Sequence, residues 1–240
     1  MKLDNPLLVG WEYASEERFA KRTAIYYALL EGRNPDHVAY DTVAEKKPAR
    51  LLDIGCGLGE TTERFAKELG ADVQAIDLSP RMVELTRARG IDARIGDAQQ
   101  LPYGDAEFDC VFAGWVLYHV PDLEQALAEC ARVLRPGGRL VASTYFENNM
   151  PELWALIEGL GPREPLSFSQ ANGMELLKRH FASVERRDLE ATLVFPDTES
   201  IRTFVASTID RAHLAPLIPE VAGPFRTTTT HVIFVAEKGG

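Results

Sequence analysis

No apolar stretch in the 240-residue chain approaches the roughly 18 residues that a membrane-crossing helix requires. The first ten residues hold only Leu7-Leu8-Val9 as an apolar run, too short for a secretory signal core. Cysteine is scarce: Cys56, Cys110 and Cys130 form no CxxC or CxxH pair. Neither a zinc site nor a disulfide framework is predicted, and a reducing, cytoplasmic setting is expected. Positive charge is in deficit, with 26 Lys and Arg against 36 Asp and Glu and a net charge of −10. A surface of that sign repels phosphate backbones and anionic headgroups. The densest basic cluster, Lys178-Arg179-His180, is short. Neither nucleic acid nor a membrane surface is an expected partner. Internal repeats and low-complexity tracts are also missing.

What is present is an ordinary globular composition, 45% hydrophobic and 26% charged, at a length that suits one large domain or one domain with a cap. Residues 1–47 read as a helical cap. Ser15 suits an N-cap, Phe19, Ala20, Thr23, Ala24, Tyr27 and Leu30 recur at helical spacing, and Gly32 is a stop. Pro35-Asp36 opens a second short helix that ends before Pro48. From Arg50 to Tyr145 short apolar runs alternate with amphipathic stretches near 60–69, 80–89 and 122–134, the pattern of βαβ units on a parallel sheet. Beyond Pro151 the pattern predicts helices near 152–159, 169–181 and 197–210. It also predicts strands at 184–195 and 229–236, paired antiparallel because no crossover helix adjoins the last one.

The informative segment is Leu51-Leu52-Asp53-Ile54-Gly55-Cys56-Gly57-Leu58-Gly59-Glu60, where the first strand of this alternation turns into a helix. Glycines there admit a close-lying ligand and present amide N–H groups at a helix N-terminus. The spacing is GxGxG, and Glu60 stands where a dinucleotide fingerprint has its third glycine. An acid is unwelcome beside a pyrophosphate, and Asp53 suits an amine-bearing ligand. Asp77 ends the second strand, 20 residues after Gly57, where a carboxylate can accept from both ribose hydroxyls. Asp97 follows the third strand and can accept from an adenine amino group. Each element alone has a plain structural explanation: a tight turn, a helix-dipole acid, a turn aspartate. Together they lie at the carboxyl ends of adjacent strands, where open α/β sheets bind ligands.

DIGCGLG, AIDLSP, GDAQQLPYGDAEFDCV, VLYHVPD and RVLRPGGRLVAST together resemble the class I S-adenosyl-L-methionine-dependent methyltransferases, specifically the methyltransferase type 11 group. The resemblance is detailed over 48–145 and loose elsewhere. It implies a Rossmann-like doubly wound sheet of seven strands, mostly parallel with an antiparallel last strand, in a domain spanning 48–240. Lid insertions are expected near 145–166 and 196–224. It also implies S-adenosyl-L-methionine as cofactor. Asp53, Gly55, Cys56, Gly57 and Gly59 would stand at the methionine end and Asp77 at the ribose. Leu78 and Met82 would lie beside the adenine, with Asp97, Ala98 and Gln99 at its edge and the backbone of Ala113 and Gly114 near the methionine amine. Tyr13, Arg18 and Arg22 are candidates to close over the carboxylate.

The expected partner is a small-molecule methyl acceptor. The fourth strand runs into Ala113-Gly114-Trp115-Val116, not the (N/D)PP(Y/F) motif of the DNA and protein-glutamine methylases. The paired acids that hold metal in the catechol enzymes are missing too, and no metal is predicted. Tyr118 and His119 are the candidate catalytic side chains, His119 either as a general base or as a packed residue under the turn. The alternatives are a nucleoside-cofactor oxidoreductase, disfavoured by Glu60, and a non-catalytic regulator that binds the same cofactor. The sequence leaves the oligomeric state open.

Overall fold

The computed structural model describes residues 2–161 and 163–240. Three helices lead in: α1 (Pro6–Glu12), α2 (Glu16–Leu29) and, after the two-residue strand β1 (Leu30–Glu31), α3 (Pro35–Ala44). Asn34 caps α3 by accepting from the Asp36 and His37 amides. The alternating region gives β2 (Arg50–Ile54), α4 (Glu60–Leu69), β3 (Asp72–Asp77), α5 (Pro80–Ala88), β4 (Asp92–Ile95), β5 (Phe108–Gly114), α6 (Leu123–Val133) and β6 (Leu134–Tyr145). The remainder is α7 (Pro151–Trp154), α8 (Gly173–Lys178), β7 (Ser183–Phe195), α9 (Thr198–Ala206) and β8 (Phe225–Glu237).

All strands join one sheet in the order β1-β7-β8-β6-β5-β2-β3-β4. Strands β2 to β6 run parallel, and β8 lies antiparallel between β6 and β7, as the Rossmann-like expectation requires. The sheet has eight strands, not seven. Leu30–Glu31, read from sequence as the end of a helix, pairs instead with Thr192–Leu193 of β7. The predicted helices at 152–159 and 169–181 shorten to α7 and α8.

The strands lack polar alternation because both faces are covered. Leu52, Ile54, Val111, Ala113, Leu140 and Ala142 enter one core with α6. Their neighbours Leu51, Cys110, Phe112 and Val141 enter the other with α3 and α4. In that second core Phe65 of α4 stacks on Tyr40 of α3 at 5.4 Å and meets Phe112 edge-on at 5.1 Å. Helix α3 is thus a covering helix of the sheet, while α1 and α2 lie over its carboxyl edge.

Candidate functional site

Below β2 the chain turns through Gly55, Gly57 and Gly59, all at positive φ. The Gly55 and Cys56 amides both donate to the Ile76 carbonyl, at 2.8 and 3.2 Å. The loop is then fixed from β3: Asp77 Oδ2 accepts from the Gly57 amide at 3.0 Å, and Oδ1 from the Ser79 amide at 2.9 Å. Burial raises the Asp77 pKa, opposed by its backbone hydrogen bonds. Asp97, below β4, accepts from the Gln99 amide at 2.9 Å. Glu60 turns away to Arg89 at 3.4 Å.

A cavity of about 1120 Å³ runs along this edge of the sheet from the loop after β4 to β8. Its wall brings together Tyr13, Arg22, Gly55, Gly57, Asp77, Leu78, Asp97, Ala98, Gln99, Gly114, Tyr118 and His119 from the residues singled out in sequence. Arg18 lies off this wall, over the Trp11 ring at 3.4 Å, and five others stand behind it. Asp53 is buried under α4, where Thr62 Oγ1 donates to it at 2.5 Å, and desolvation lifts its pKa to about 7. The Cys56 thiol, pushed up by burial, accepts from Thr86 Oγ1 at 3.4 Å. Gly59 caps α4, and Met82 and Ala113 are fully buried in the cores.

The roof is the N-terminal segment. His119 Nδ1–H donates to the Leu3 carbonyl at 2.8 Å, which leaves Nε2 to accept from the Tyr13 hydroxyl at 3.1 Å. Ser79 Oγ donates to the Tyr13 carbonyl at 2.7 Å. Arg22 is held by Glu12 and reaches the Ser207 carbonyl at 3.4 Å. Burial depresses the His119 pKa to about 4. The unfolded chain, titrating near 6.5, therefore takes up a proton that the folded chain refuses between those two values. This group's share of stability is complete above pH 6.5 and is lost as pH falls toward 4. The slope is at most about 1.4 kcal/mol per pH unit. His119→Gln is expected to remove that slope from urea-denaturation free energies measured between pH 4.5 and 7; an unchanged profile would contradict the buried, neutral assignment.

At the far end stand Trp115, Tyr26 and Tyr27, which the sequence offered for the acceptor side, together with Asp36, Tyr145 and His231, which it did not. Trp115 holds a left-handed backbone at φ 57°, a conformation that costs a non-glycine residue about 1–3 kcal/mol and marks a constrained site. Its Nε1–H donates to Asp36 Oδ1 at 2.6 Å, and the Tyr27 hydroxyl donates to Oδ2. Its ring lies 5.1 Å from both Tyr145 and His231. Burial lowers the His231 pKa to about 3. Tyr26 and His231 are 205 residues apart, and a lone histidine in the threonine-rich run 227–231 carries no motif. The only signal available in sequence was the polar break it makes before Val232-Ile233-Phe234.

No group of three or more His, Cys, Asp or Glu side chains able to hold a metal occurs among the described residues, and no described helix is long and apolar enough to cross a membrane.

Residues 52–142 match the family model described as a methyltransferase domain. The chain is 34% identical over 151 residues to methyltransferase GfsG of Streptomyces halstedii, covering 59% of this chain and 52% of that protein. It is 41% identical over 135 residues to the ubiquinone biosynthesis O-methyltransferase of Xanthomonas oryzae pv. oryzae, covering 53% and 55%. The chain thus spans about half the length of the curated relatives it matches. In fold it is similar to a Haemonchus contortus phosphoethanolamine N-methyltransferase solved with S-adenosylhomocysteine. That match has a TM-score of 0.67 at 16% identity and covers all of this chain and 61% of that one.

Proposed function

Because the chain carries a class I S-adenosyl-L-methionine-dependent methyltransferase domain, we propose that it moves a methyl group from that cofactor to an O, N or C atom of a small-molecule acceptor. The observation that carries the reading is the Asp77 carboxylate. It lines the cavity, closes the glycine loop through one oxygen and the next turn through the other, and keeps lone pairs for ligand hydroxyls. The wall fits a nucleoside with an amino-acid tail: carboxylate acceptors at Asp77 and Asp97, and Gly55 and Gly57 with no side chain to fill the space beside them.

In this reading Asp77 holds the ribose, Asp97 with the Ala98 amide reads the adenine edge, and Leu78 flanks the ring. Gly55, Gly57 and Gly114 leave room for the methionine end. Asp53 acts from behind the wall by fixing the start of α4 through Thr62, and Cys56, Gly59, Met82 and Ala113 set the loop's shape by packing. The bound cofactor supplies an electrophilic methyl group on a cationic sulfur. The protein's part is alignment: holding donor and acceptor in line contributes up to about 7–11 kcal/mol in well-oriented systems. Tyr13, Phe19 and the roof exclude water. His119 spends both ring nitrogens on that roof, so we assign it to holding the lid closed. Tyr118, its hydroxyl kept protonated by burial, completes the wall between the two ends of the cavity. The named relatives act, by their names, in methyl transfer, one of them as an O-methyltransferase of ubiquinone biosynthesis; a small, oxygen-bearing acceptor accords with them.

The test compares thermal shifts with S-adenosylhomocysteine, NAD and NADP, then follows methyl transfer from labelled cofactor across a metabolite panel in EDTA. Stabilisation by S-adenosylhomocysteine alone, with EDTA-resistant turnover, is expected. Stabilisation by NAD instead would favour an oxidoreductase. S-adenosylhomocysteine binding with no turnover on any acceptor would favour a regulator, and EDTA-sensitive turnover would contradict metal independence.

A further inference from the structure

The half of the cavity away from Asp77 and Asp97 holds a carboxylate with no cation beside it. Asp36 is half-buried and lines the wall. Its Oδ1 accepts from Trp115 Nε1–H at 2.6 Å and its Oδ2 from the Tyr27 hydroxyl. Both donors are neutral, and each carboxylate oxygen keeps a second lone pair for a further donor. Asp36 stands in the first turn of α3, whose positive end offsets part of its charge. It is not spent on capping that helix, because Asn34 accepts from the first-turn amides. Two neutral donors and a helix end solvate the charge without cancelling it.

The cations on the cavity wall are engaged elsewhere. Arg22 is held by Glu12, Arg163 by Asp210 at 2.7 Å, and Arg81 by Glu16 and Glu84, each at 2.6 Å. His119 and His231, both on the wall, are kept neutral by burial. Among the described residues no Lys, Arg or His forms an ion pair with Asp36; its side-chain partners are the two neutral donors. What surrounds it is aromatic. The Trp115 and Tyr145 rings lie 5.1 Å apart, Tyr26 and Tyr27 meet edge-on at 5.3 Å, and all four line the cavity. The residue that fixes Oδ1 is Trp115, the one with the strained left-handed backbone. A carboxylate set among aromatic rings suits a cation, which is attracted both by the charge and by the ring faces. An anion meets repulsion from both.

We propose that Asp36 selects the methyl acceptor, and that the acceptor is a small molecule bearing a positively charged nitrogen, held against the Asp36 carboxylate among Tyr26, Tyr27, Trp115 and Tyr145; this rests on the methyltransferase reading above. Asp36 is a contact of the acceptor and not of the cofactor. Loss of its charge changes acceptor choice and leaves the affinities for S-adenosyl-L-methionine and S-adenosylhomocysteine alone.

Calorimetry on the protein saturated with S-adenosylhomocysteine tests this with three probes of one frame: 2-phenylethylamine, 2-phenylethanol and 3-phenylpropanoate. The wild type is expected to bind the amine roughly 10-fold or more tightly than the alcohol, the scale of one charge-assisted contact, and to bind the carboxylate most weakly. Asp36→Asn keeps an oxygen for the Trp115 indole and removes the charge. It should weaken amine binding by roughly 10-fold or more, leave alcohol binding nearly unchanged, and so abolish the preference. Asp36→Ser is the second charge-free variant, used where a melting curve shows the asparagine protein unfolded. S-adenosyl-L-methionine and S-adenosylhomocysteine, titrated alone, should bind the variants as they bind the wild type. The proposal is overturned by no measurable amine binding, by equal affinity for amine and alcohol, by preference for the carboxylate, or by an amine preference that survives loss of the charge. A loss of affinity confined to S-adenosyl-L-methionine would give Asp36 to the cofactor's sulfonium and overturn it as well. Failure of S-adenosylhomocysteine to bind the wild type would instead overturn the methyltransferase reading, and this inference with it.

Discussion

Replacing Asp77 with alanine is expected to weaken S-adenosylhomocysteine binding by roughly 30- to 1,000-fold. The carboxylate would lose one or two charge-assisted hydrogen bonds to ligand hydroxyls, at about 1.5–3 kcal/mol each, and each 1.4 kcal/mol is tenfold in affinity. The variant has a second cost inside the protein. The Gly57 and Ser79 amides lose their acceptor, so the glycine loop is no longer tied to the turn after β3. Asp77→Asn keeps an acceptor oxygen and should fall between alanine and the wild type. Calorimetry with S-adenosylhomocysteine measures the loss and a melting curve confirms folding. Undiminished affinity in a folded Asp77→Ala protein would remove this residue from the site.

The second large effect is on stability, at Gly55. Its φ is +74°, and a Cβ there would lie 2.6 Å from Val116 Cγ2. Gly55→Ala combines left-handed strain of about 1–2 kcal/mol with an overpacking cost of about 1–3 kcal/mol, and a total loss of about 2–5 kcal/mol is expected from urea denaturation. The two causes separate in a double-mutant cycle. Val116→Ala removes the colliding methyl groups, so the pair should be less destabilised than the sum of the single variants by about 1 kcal/mol or more, while the backbone strain remains. Strict additivity would show that the collision is relieved elsewhere.

The legible parts of this molecule were those written locally. The β2 to β6 march announced itself through apolar runs separated by helices, and the glycine loop, Asp77 and Asp97 each followed a strand at a readable distance. The antiparallel ending was legible too, because no crossover helix precedes Thr229–Ala236. The missed features depend on partners remote in sequence. Two residues at Leu30–Glu31 carry no period, and only the presence of β7 makes them a strand. Met82 and Ala113 stand in motifs, but direction within the helix or strand decides whether a side chain reaches the wall, and both side chains are fully buried. His119 reads from sequence as base or scaffold alike, and its contacts to Leu3 and Tyr13 lie 116 and 106 residues away. Asp36 looked like the first-turn acid of a helix; its role as acceptor for Trp115 depends on a residue 79 positions away. His231 had no motif at all.

The short reach of β1 has a consequence for how the protein behaves in crowded solution. It covers only Thr192–Leu193, so most of β7 presents bare N–H and C=O groups along the rim of the sheet. Such a rim is a template on which another chain can lay a strand and start an aggregate. Along that open length the sequence runs Glu185-Arg186-Arg187-Asp188, then Glu190. An incoming strand would have to dehydrate both signs of charge in close alternation before gaining its first ladder bond. At the opposite rim β4 is four residues long and carries Asp92 and Arg94. Both borders of the sheet therefore discourage growth by brevity or by charge, and the apolar interior of β8, flanked on each side by β6 and β7, is never offered to a neighbour.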